Sequence, residues 1–383
     1  MPQPPGPPSL PTSAYVHVPF CAHRCGYCDF TVVAGRDDLA GRYVTALARE
    51  LRGLPEDRPP LRTLFIGGGT PTHLPLEELD ALLRLLRRSF ALEPDAEFSV
   101  EANPHGLTDA KLDVLAEHGV TRVSLGVQAL DDASLRLLER DHRTGDALET
   151  LGRCVARFPS VSADLIFGVP GLSDIDWRRS LTAVAERGAT HVSAYGLTFE
   201  RGTAFWTRRM KGSLSEMADE RQRSQYAEAM DRLPALGYAQ YELSNYARPG
   251  HRCRHNETYW DRGEYWGLGP GAASLVGGVR RTNHRSTTTW LKRVEAGQSG
   301  VADEEPQTLR TVGEELVMLG LRRVEGVDLA AFEAAVGEPL TAFAPGAEER
   351  CAAAGWVERS RGRLRLTREG RFVADTVMGE FFG

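Results

Sequence analysis

From residue 14 to about residue 200, short apolar runs alternate with longer stretches whose apolar residues recur at three- and four-residue steps. The short runs AYVHVP (14–19), TLFIGG (63–68), EFSVEA (97–102), RVSLGV (122–127), SADLIFG (162–168) and THVSAYG (190–196) read as strands. The stretches near 38–53, 76–90, 108–118, 131–139, 146–157 and 174–187 carry the helical period, as in Leu79, Leu82, Leu83 and Leu86. Six strand–helix units in series predict a parallel sheet with helices outside it. Six is fewer than the eight of a closed barrel. The expected core, residues 13–235, is therefore α/β, a partial and open (βα)6 barrel with ligand sites at the C-terminal ends of its strands.

Outside that core the pattern changes. Residues 1–12 are proline-rich and read as a disordered tail. A long helix is expected near 215–235, with Pro234 marking its end. Residues 236–305 read as an irregular extension rich in aromatic residues and glycine. Residues 306–383 read as a small C-terminal winged-helix-like α+β domain. Helical patterns at 308–323, 328–336 and 345–354 precede a hairpin over 355–367 that turns near Arg361–Gly362. Arg359, Arg361, Arg363, Arg365 and Arg368 make that hairpin basic, but many acids lie around it, and no nucleic-acid partner is expected.

Composition narrows the class. The chain has 383 residues, 42% of them hydrophobic, with a formal net charge of -6, so no global basic field draws it to nucleic acid or acidic lipid. No apolar run approaches the roughly 20 residues that span a bilayer. With no export signal, the expected compartment is the reducing cytoplasm, where clustered cysteines are ligands or catalysts more often than disulfides. Of the six cysteines, Cys21, Cys25 and Cys28 crowd into one short segment, while Cys154, Cys253 and Cys351 are scattered.

The crowded segment has the spacing C-x3-C-x2-C and directly follows the first strand. Three thiolates from one loop can take three irons of an iron–sulfur cube and leave the fourth open to a small molecule. Soft thiolates also suit zinc, although structural zinc usually wants four ligands, and His23, the nearest fourth, sits awkwardly inside the first loop. Further along, Ile66-Gly67-Gly68-Gly69-Thr70-Pro71 ends the second strand; glycines there permit close backbone approach to a ligand, and backbone N–H groups exposed there could hydrogen-bond it. Glu101 ends the third strand, Gln128 closely follows the fourth, Arg140 follows the next helix and Asp164 lies within the fifth. Each alone reads as readily as a solvated or salt-bridged polar residue, and Tyr15 as a core aromatic.

Taken in order, the motifs YVHVPFC, CGYCDF, GGGTPT, EANP, GVQ and DLIFGVPG resemble the coproporphyrinogen-oxidase-like branch of the radical S-adenosylmethionine (SAM) superfamily. The resemblance runs from Tyr15 into the C-terminal domain. It implies a [4Fe–4S] cluster on Cys21, Cys25 and Cys28, with SAM chelating the open iron and cleavable to a 5′-deoxyadenosyl radical. It also implies SAM contacts from Tyr15, Gly68, Gly69, Thr70, Glu101, Gln128, Arg140 and Asp164.

Within that branch, the oxidases resemble C-x3-C-x2-C-x-C, whereas here Phe30 stands in the last position. The segment His255-Asn256-Glu257-Thr258-Tyr259-Trp260 resembles the H-N-x-x-Y-W signature of HemW-type relatives. That resemblance implies a heme chaperone that binds heme and passes it to acceptor proteins, membrane-bound respiratory enzymes being plausible ones. Transient membrane association is then open. A neutral imidazole is a good axial ligand for heme iron, which makes His255 the candidate ligand. Read from the residues alone, His255 is as well explained as a satisfied polar residue among core aromatics. Arg252 and Arg254 could meet porphyrin propionates. No catalytic residue is assigned. The intact SAM constellation leaves SAM cleavage within reach, and an oxygen-independent coproporphyrinogen III oxidase is the alternative, although Phe30 argues against it.

Overall fold

A computed structural model describes residues 10–382, so most of the tail expected at 1–12 lies outside the described residues. Six parallel strands, β1 (Ser13–Val18), β2 (Leu61–Gly68), β3 (Leu92–Ala102), β4 (Arg122–Gln128), β5 (Ser160–Phe167) and β6 (His191–Gly196), pair in chain order. Helices α1 (Ala40–Leu51), α2 (Leu76–Ser89), α3 (Asp109–Glu117), α4 (Asp132–Leu137), α5 (Thr144–Arg157) and α6 (Asp174–Glu186) fill the crossovers. This is the open (βα)6 arrangement that the alternation predicts.

Side chains alternate across a strand, and here the two faces differ in kind. One face is apolar: Val16, Leu64, Ile66, Phe98, Val100, Val123, Leu125, Val161, Ala163, Val192 and Ala194 are fully buried. Helix α2 shows what packs in the same core. Leu79, Leu82, Leu83 and Leu86 form one buried stripe, while Glu77 and Glu78 in its first turn and Arg87 and Arg88 in its last complement the helix dipole. The other face is polar. In register across the sheet stand Ser13 and Thr63, Thr63 and Glu97, Ser99 and Arg122, Glu101 and Ser124, Ser162 and His191, and Asp164 and Ser193.

Residues 197–306 are more regular than their composition suggests. Helix α7 (Ala204–Met210) backs the cysteine loop, and α8 (Asp219–Ala235) ends one residue after Pro234. Strand β7 (Asn245–Ala247) adds antiparallel to β6. Helix α9 (Arg254–Trp260) closes the floor of the barrel, with Thr258 Oγ1 3.1 Å from Ser13 Oγ. Strand β8 (Trp266–Leu268) then pairs parallel with β1 at the opposite edge. Beyond it β9 (Ala273–Val276), β10 (Val279–Asn283) and β11 (Val301–Pro306) form an antiparallel sheet, with α10 (Thr287–Glu295) inserted. The irregular extension expected at 236–305 is thus largely strand and helix. Gly277–Gly278, both at positive φ, make the tight hairpin that joins β9 to β10.

The C-terminal part follows the expected order. Helices α11 (Leu309–Arg322), α12 (Leu329–Val336) and α13 (Ala347–Ala353) precede a hairpin of β12 (Val357–Ser360) and β13 (Arg363–Leu366). Arg361 and Gly362 both take positive φ at its turn. Arg359, Arg363, Arg365 and Arg368 pair with Glu348, Asp328, Glu358 and Asp231, which largely neutralises the hairpin's charge. This part has its own core around Val317, Phe332, Leu364 and Phe381, and the residues flanking α9 reach it through Arg252–Glu325 and Arg323–Asp261 ion pairs.

A Cβ on Gly267 would overlap the Ala273 carbonyl, so Gly267→Ala should break the junction between β8 and β9 and destabilise the protein by about 3 kcal/mol or more. Gly41 in α1 has open space, and Gly41→Ala should be neutral or stabilising by roughly 0.5 kcal/mol. Urea denaturation of the two variants checks both; equal midpoints would contradict the packing described for β8.

Candidate functional site

The cysteine loop leaves β1 at its C-terminal end. It is pinned to the end of β2 by Gly69 N–H donating to Val18 O (2.7 Å) and Thr70 N–H donating to Phe20 O (2.8 Å). Behind it Gly26 fits only as glycine, because a Cβ there would lie 2.6 Å from the Phe205 ring of α7. Cys21, Cys25 and Cys28 all line one cavity of about 780 Å³ that opens at the C-terminal ends of the strands. Burial pushes the Cys21 thiol up to about 11, a hydrogen bond from Thr70 offsetting part of that, and burial also raises Cys28. His23, the candidate fourth ligand for zinc, lies beside Cys25, its Nε2 3.6 Å from that sulfur and against the Glu139 carbonyl, while its Nδ1 pairs with Asp141 at 2.9 Å. A cube takes one thiolate per iron, and all three cysteines line the same cavity. The donor set fits a cube.

A circuit of polar contacts joins two of the cysteines. Thr70 Oγ1 is 3.6 Å from Cys21 Sγ and accepts from Asn103 Nδ2 at 2.9 Å. Asn103 Oδ1 accepts from Arg140 Nη2 at 2.6 Å, and Arg140 Nη1 reaches Cys25 Sγ at 3.6 Å. Asn103 is the member that sequence reading did not single out, although it sits inside the EANP motif. The turn carrying Gln128 is strained into positive φ (64°), and a Cβ on Gly126 would touch both Gln128 and Asn103.

The glycine run corrects one expectation. Its N–H groups are not free for a ligand: Gly68 N–H donates to Glu101 Oε2 at 2.9 Å, and those of Gly69 and Thr70 hold the cysteine loop. The run serves by lacking side chains. A Cβ on Gly67 would lie 2.7 Å from Glu101 Oε2, and one on Gly68, at φ +109°, would lie 2.5 Å from His17. His17 Nε2–H donates to Thr31 O at 2.7 Å, which leaves Nδ1 to accept from Tyr15 OH at 3.0 Å. Deeper down, Asp164 accepts from Ser124, Ser162 and Ser193 at 2.9, 2.9 and 2.7 Å, and burial raises its pKa despite them.

His255 lies on the floor, 1% exposed. Nδ1 is 2.8 Å from Thr63 Oγ1, Nε2 is 2.7 Å from Tyr259 OH, and the ring stacks on Phe65 at 5.1 Å. Burial pushes it down to about 3, so it is neutral, but both nitrogens are occupied. Coordination of iron by Nε2 requires release of Tyr259. Arg252 is paired with Glu257 and Glu325, and Arg254 with Asp95, so neither is a free partner for propionates. Cys253 is buried against Glu97. All twelve residues singled out from sequence, Tyr15, Cys21, Cys25, Cys28, Gly68, Gly69, Thr70, Glu101, Gln128, Arg140, Asp164 and His255, nevertheless line the one cavity.

An open barrel with three cysteines on the loop after its first strand and a glycine shelf after its second is the radical SAM class. Residues 15–184 match the Radical SAM superfamily and residues 307–373 match the HemN C-terminal domain. The solved structure of coproporphyrinogen III oxidase (HemN) from Escherichia coli, a radical SAM enzyme, shares the fold with a TM-score of 0.85 over 98% of this chain and 90% of that one, at 23% identity. The chain is 39% identical to the heme chaperone HemW of Mycobacterium tuberculosis (strain H37Rv), covering 98% of this chain and 96% of that protein. Against HemW of Bacillus subtilis it is 34% identical, covering 97% and 99%. The mitochondrial radical S-adenosyl methionine domain-containing protein 1 of Bos taurus is 36% identical, covering 85% and 76%. The chain belongs to the HemW family of radical SAM proteins, and with that membership come a [4Fe–4S] cluster and SAM.

Desolvation lifts the Glu101 carboxyl from 4.5 to about 7, the Gly68 N–H opposing and Asp164 adding to it. The fold favours the neutral form, so its contribution is fully present below the unfolded value and is lost as pH rises through about 7, up to roughly 3 kcal/mol in all. In the cluster-free protein, Glu101→Gln should therefore lessen the fall in urea midpoint between pH 5 and pH 8. Parallel pH profiles for the two proteins would contradict the burial described.

Proposed function

We propose that this chain is a heme chaperone, which binds heme and hands it to an acceptor protein while holding a SAM-liganded cluster. The observation that carries the reading is identity of 39% with a heme chaperone across 98% of the chain. Phe30 adds to it. It stands where the oxidase-like pattern has a further cysteine, and it is 62% exposed on the wall of the cavity.

In this reading Cys21, Cys25 and Cys28 hold the cluster, and Tyr15, Gly68, Gly69, Thr70, Glu101, Gln128, Arg140 and Asp164 bind SAM. When bound, the cluster supplies an electron for SAM cleavage. Arg140 and Asn103 orient the loop by bridging Thr70 to Cys25. Glu101 offers a buried carboxyl that accepts the Gly68 N–H, and Asp164 offers one saturated by hydroxyls. Residues 13–235 act as the core, 236–305 as the extension carrying the HNxxYW segment and 306–383 as a separate C-terminal unit. The reading places the protein in the cytoplasm, which its six free cysteines support. Among the described residues no helix is long and apolar enough to cross a membrane. A membrane-bound respiratory enzyme as acceptor would be reached by transient association.

Two assays test the function together. After anaerobic reconstitution, heme titrated into the protein should bind stoichiometrically by absorbance, and coproporphyrinogen III should yield no decarboxylated product. Decarboxylation without tight heme binding would establish the oxidase instead.

His255 is the axial ligand only if Nε2 exchanges Tyr259 for iron. His255→Ala should then weaken heme binding, and Tyr259→Phe, which frees Nε2, should leave it intact or tighten it. If both variants merely lose about 2 kcal/mol of stability and bind heme normally, His255 is structural.

A further inference from the structure

The inner half of the cavity holds a charged group that the cluster and SAM reading does not use. Arg122 on β4 is 2% exposed and lines the cavity. Its guanidinium has five N–H donors, yet Nη1 donates to the His251 carbonyl at 3.1 Å and Nε has no partner. Among the described residues no carboxylate oxygen lies within 4.0 Å of it. The acids whose charge it feels are already saturated. Glu97 accepts from Arg254 N–H (2.9 Å), His255 N–H (3.1 Å) and Ser99 (3.2 Å), and Asp164 accepts from three serines. Its charge is offset only at a distance, by Glu97 and Asp164, so the guanidinium beside the cavity is short of acceptors rather than of counter-charge.

We propose that this inner chamber is a carboxylate subsite with Arg122 as its anion-binding residue. The planar fork matches a carboxylate with two parallel hydrogen bonds. The planar fork, rather than any surplus of positive charge, is what the chamber offers, because the charges of Glu97 and Asp164 already offset that of the guanidinium at a distance. Ser124, Ser193 and Tyr195 line the same cavity; the two serines, whose protons go to Asp164, can accept a hydrogen bond from the remainder of a small polar ligand. The carboxylate has two possible sources, a free small carboxylic acid or a porphyrin's own propionate, and only the second rests on the heme-chaperone reading.

The experiment uses the full chain with its cluster reconstituted. Propionate is the first probe, titrated by calorimetry; hemin and hemin dimethyl ester are the second pair, titrated by absorbance. Wild type should bind propionate saturably in the millimolar range, and Arg122→Gln should weaken it at least tenfold. Arg122→Lys keeps the charge but not the fork. It should weaken propionate less than the glutamine variant, and it decides the matter if that variant does not fold. If the lysine variant weakens hemin but not its dimethyl ester, the propionate is the porphyrin's. If it weakens propionate and leaves hemin unchanged, the ligand is a free acid. The proposal is overturned if wild type shows no saturable propionate binding and does not distinguish hemin from its ester. It is equally overturned if folded variants bind every probe as wild type does, which would make Arg122 only a distant counter-charge to Glu97 and Asp164. Failure of wild type to bind heme would sink the chaperone reading while the propionate arm still judges Arg122.

Discussion

The polar face that six strands turn inward must be satisfied from within, and the site follows from how this is done. Helices cover the apolar outer face, so burial there holds the barrel together. The inner face cannot be stabilised in that way. Its carboxylates, hydroxyls and imidazoles find one another instead: Asp164 with three serines, Glu97 with the first N–H groups of α9, His191 between Ser162 and Tyr241. Groups satisfied in this way are rigid, and the cavity above them is set in shape before any ligand arrives.

Helix α9 is the element that makes such an interior possible. It closes the end of the barrel opposite the cysteines, and Glu97 accepts from the backbone N–H groups at its start. Its His255 and Tyr259 face the cavity, while Asp261, just after it, pairs with Arg323 of the C-terminal part. The floor of the cofactor cavity and the C-terminal unit are therefore joined through seven helical residues, Arg254–Trp260. At the other end, the Thr70–Asn103–Arg140 circuit ties the cysteine loop to the ends of β2 and β3 and to the segment after α4.

Much of this was legible in the chain. Strand period and helix period separated cleanly over residues 14–200, because each element has one apolar face and the loops are short. The cysteine spacing and glycine run named the site, since thiolates and missing side chains are visible in a sequence. The extension was misjudged because its strands are short and carry few β-branched residues, although Gly277-Gly278 between apolar neighbours was a usable hairpin signal. Asn103 and Arg122 were missed for a different reason. The contacts of Asn103 come from other loops, and those of Arg122 depend on register across the sheet, neither of which a local pattern reveals. The glycine N–H groups were misassigned for the same cause, because their acceptors, Val18, Phe20 and Glu101, come from neighbouring segments.

The account rests on three thiols placed around a cavity to hold a cube with one open iron. Electron paramagnetic resonance of the reduced, anaerobically reconstituted protein, with and without SAM and alongside iron and sulfide analysis, tests this most directly. The account predicts about four irons and four sulfides per chain and a spectrum that shifts when SAM is added. A chain that takes up stoichiometric zinc instead, or a cluster whose spectrum ignores SAM, would contradict it.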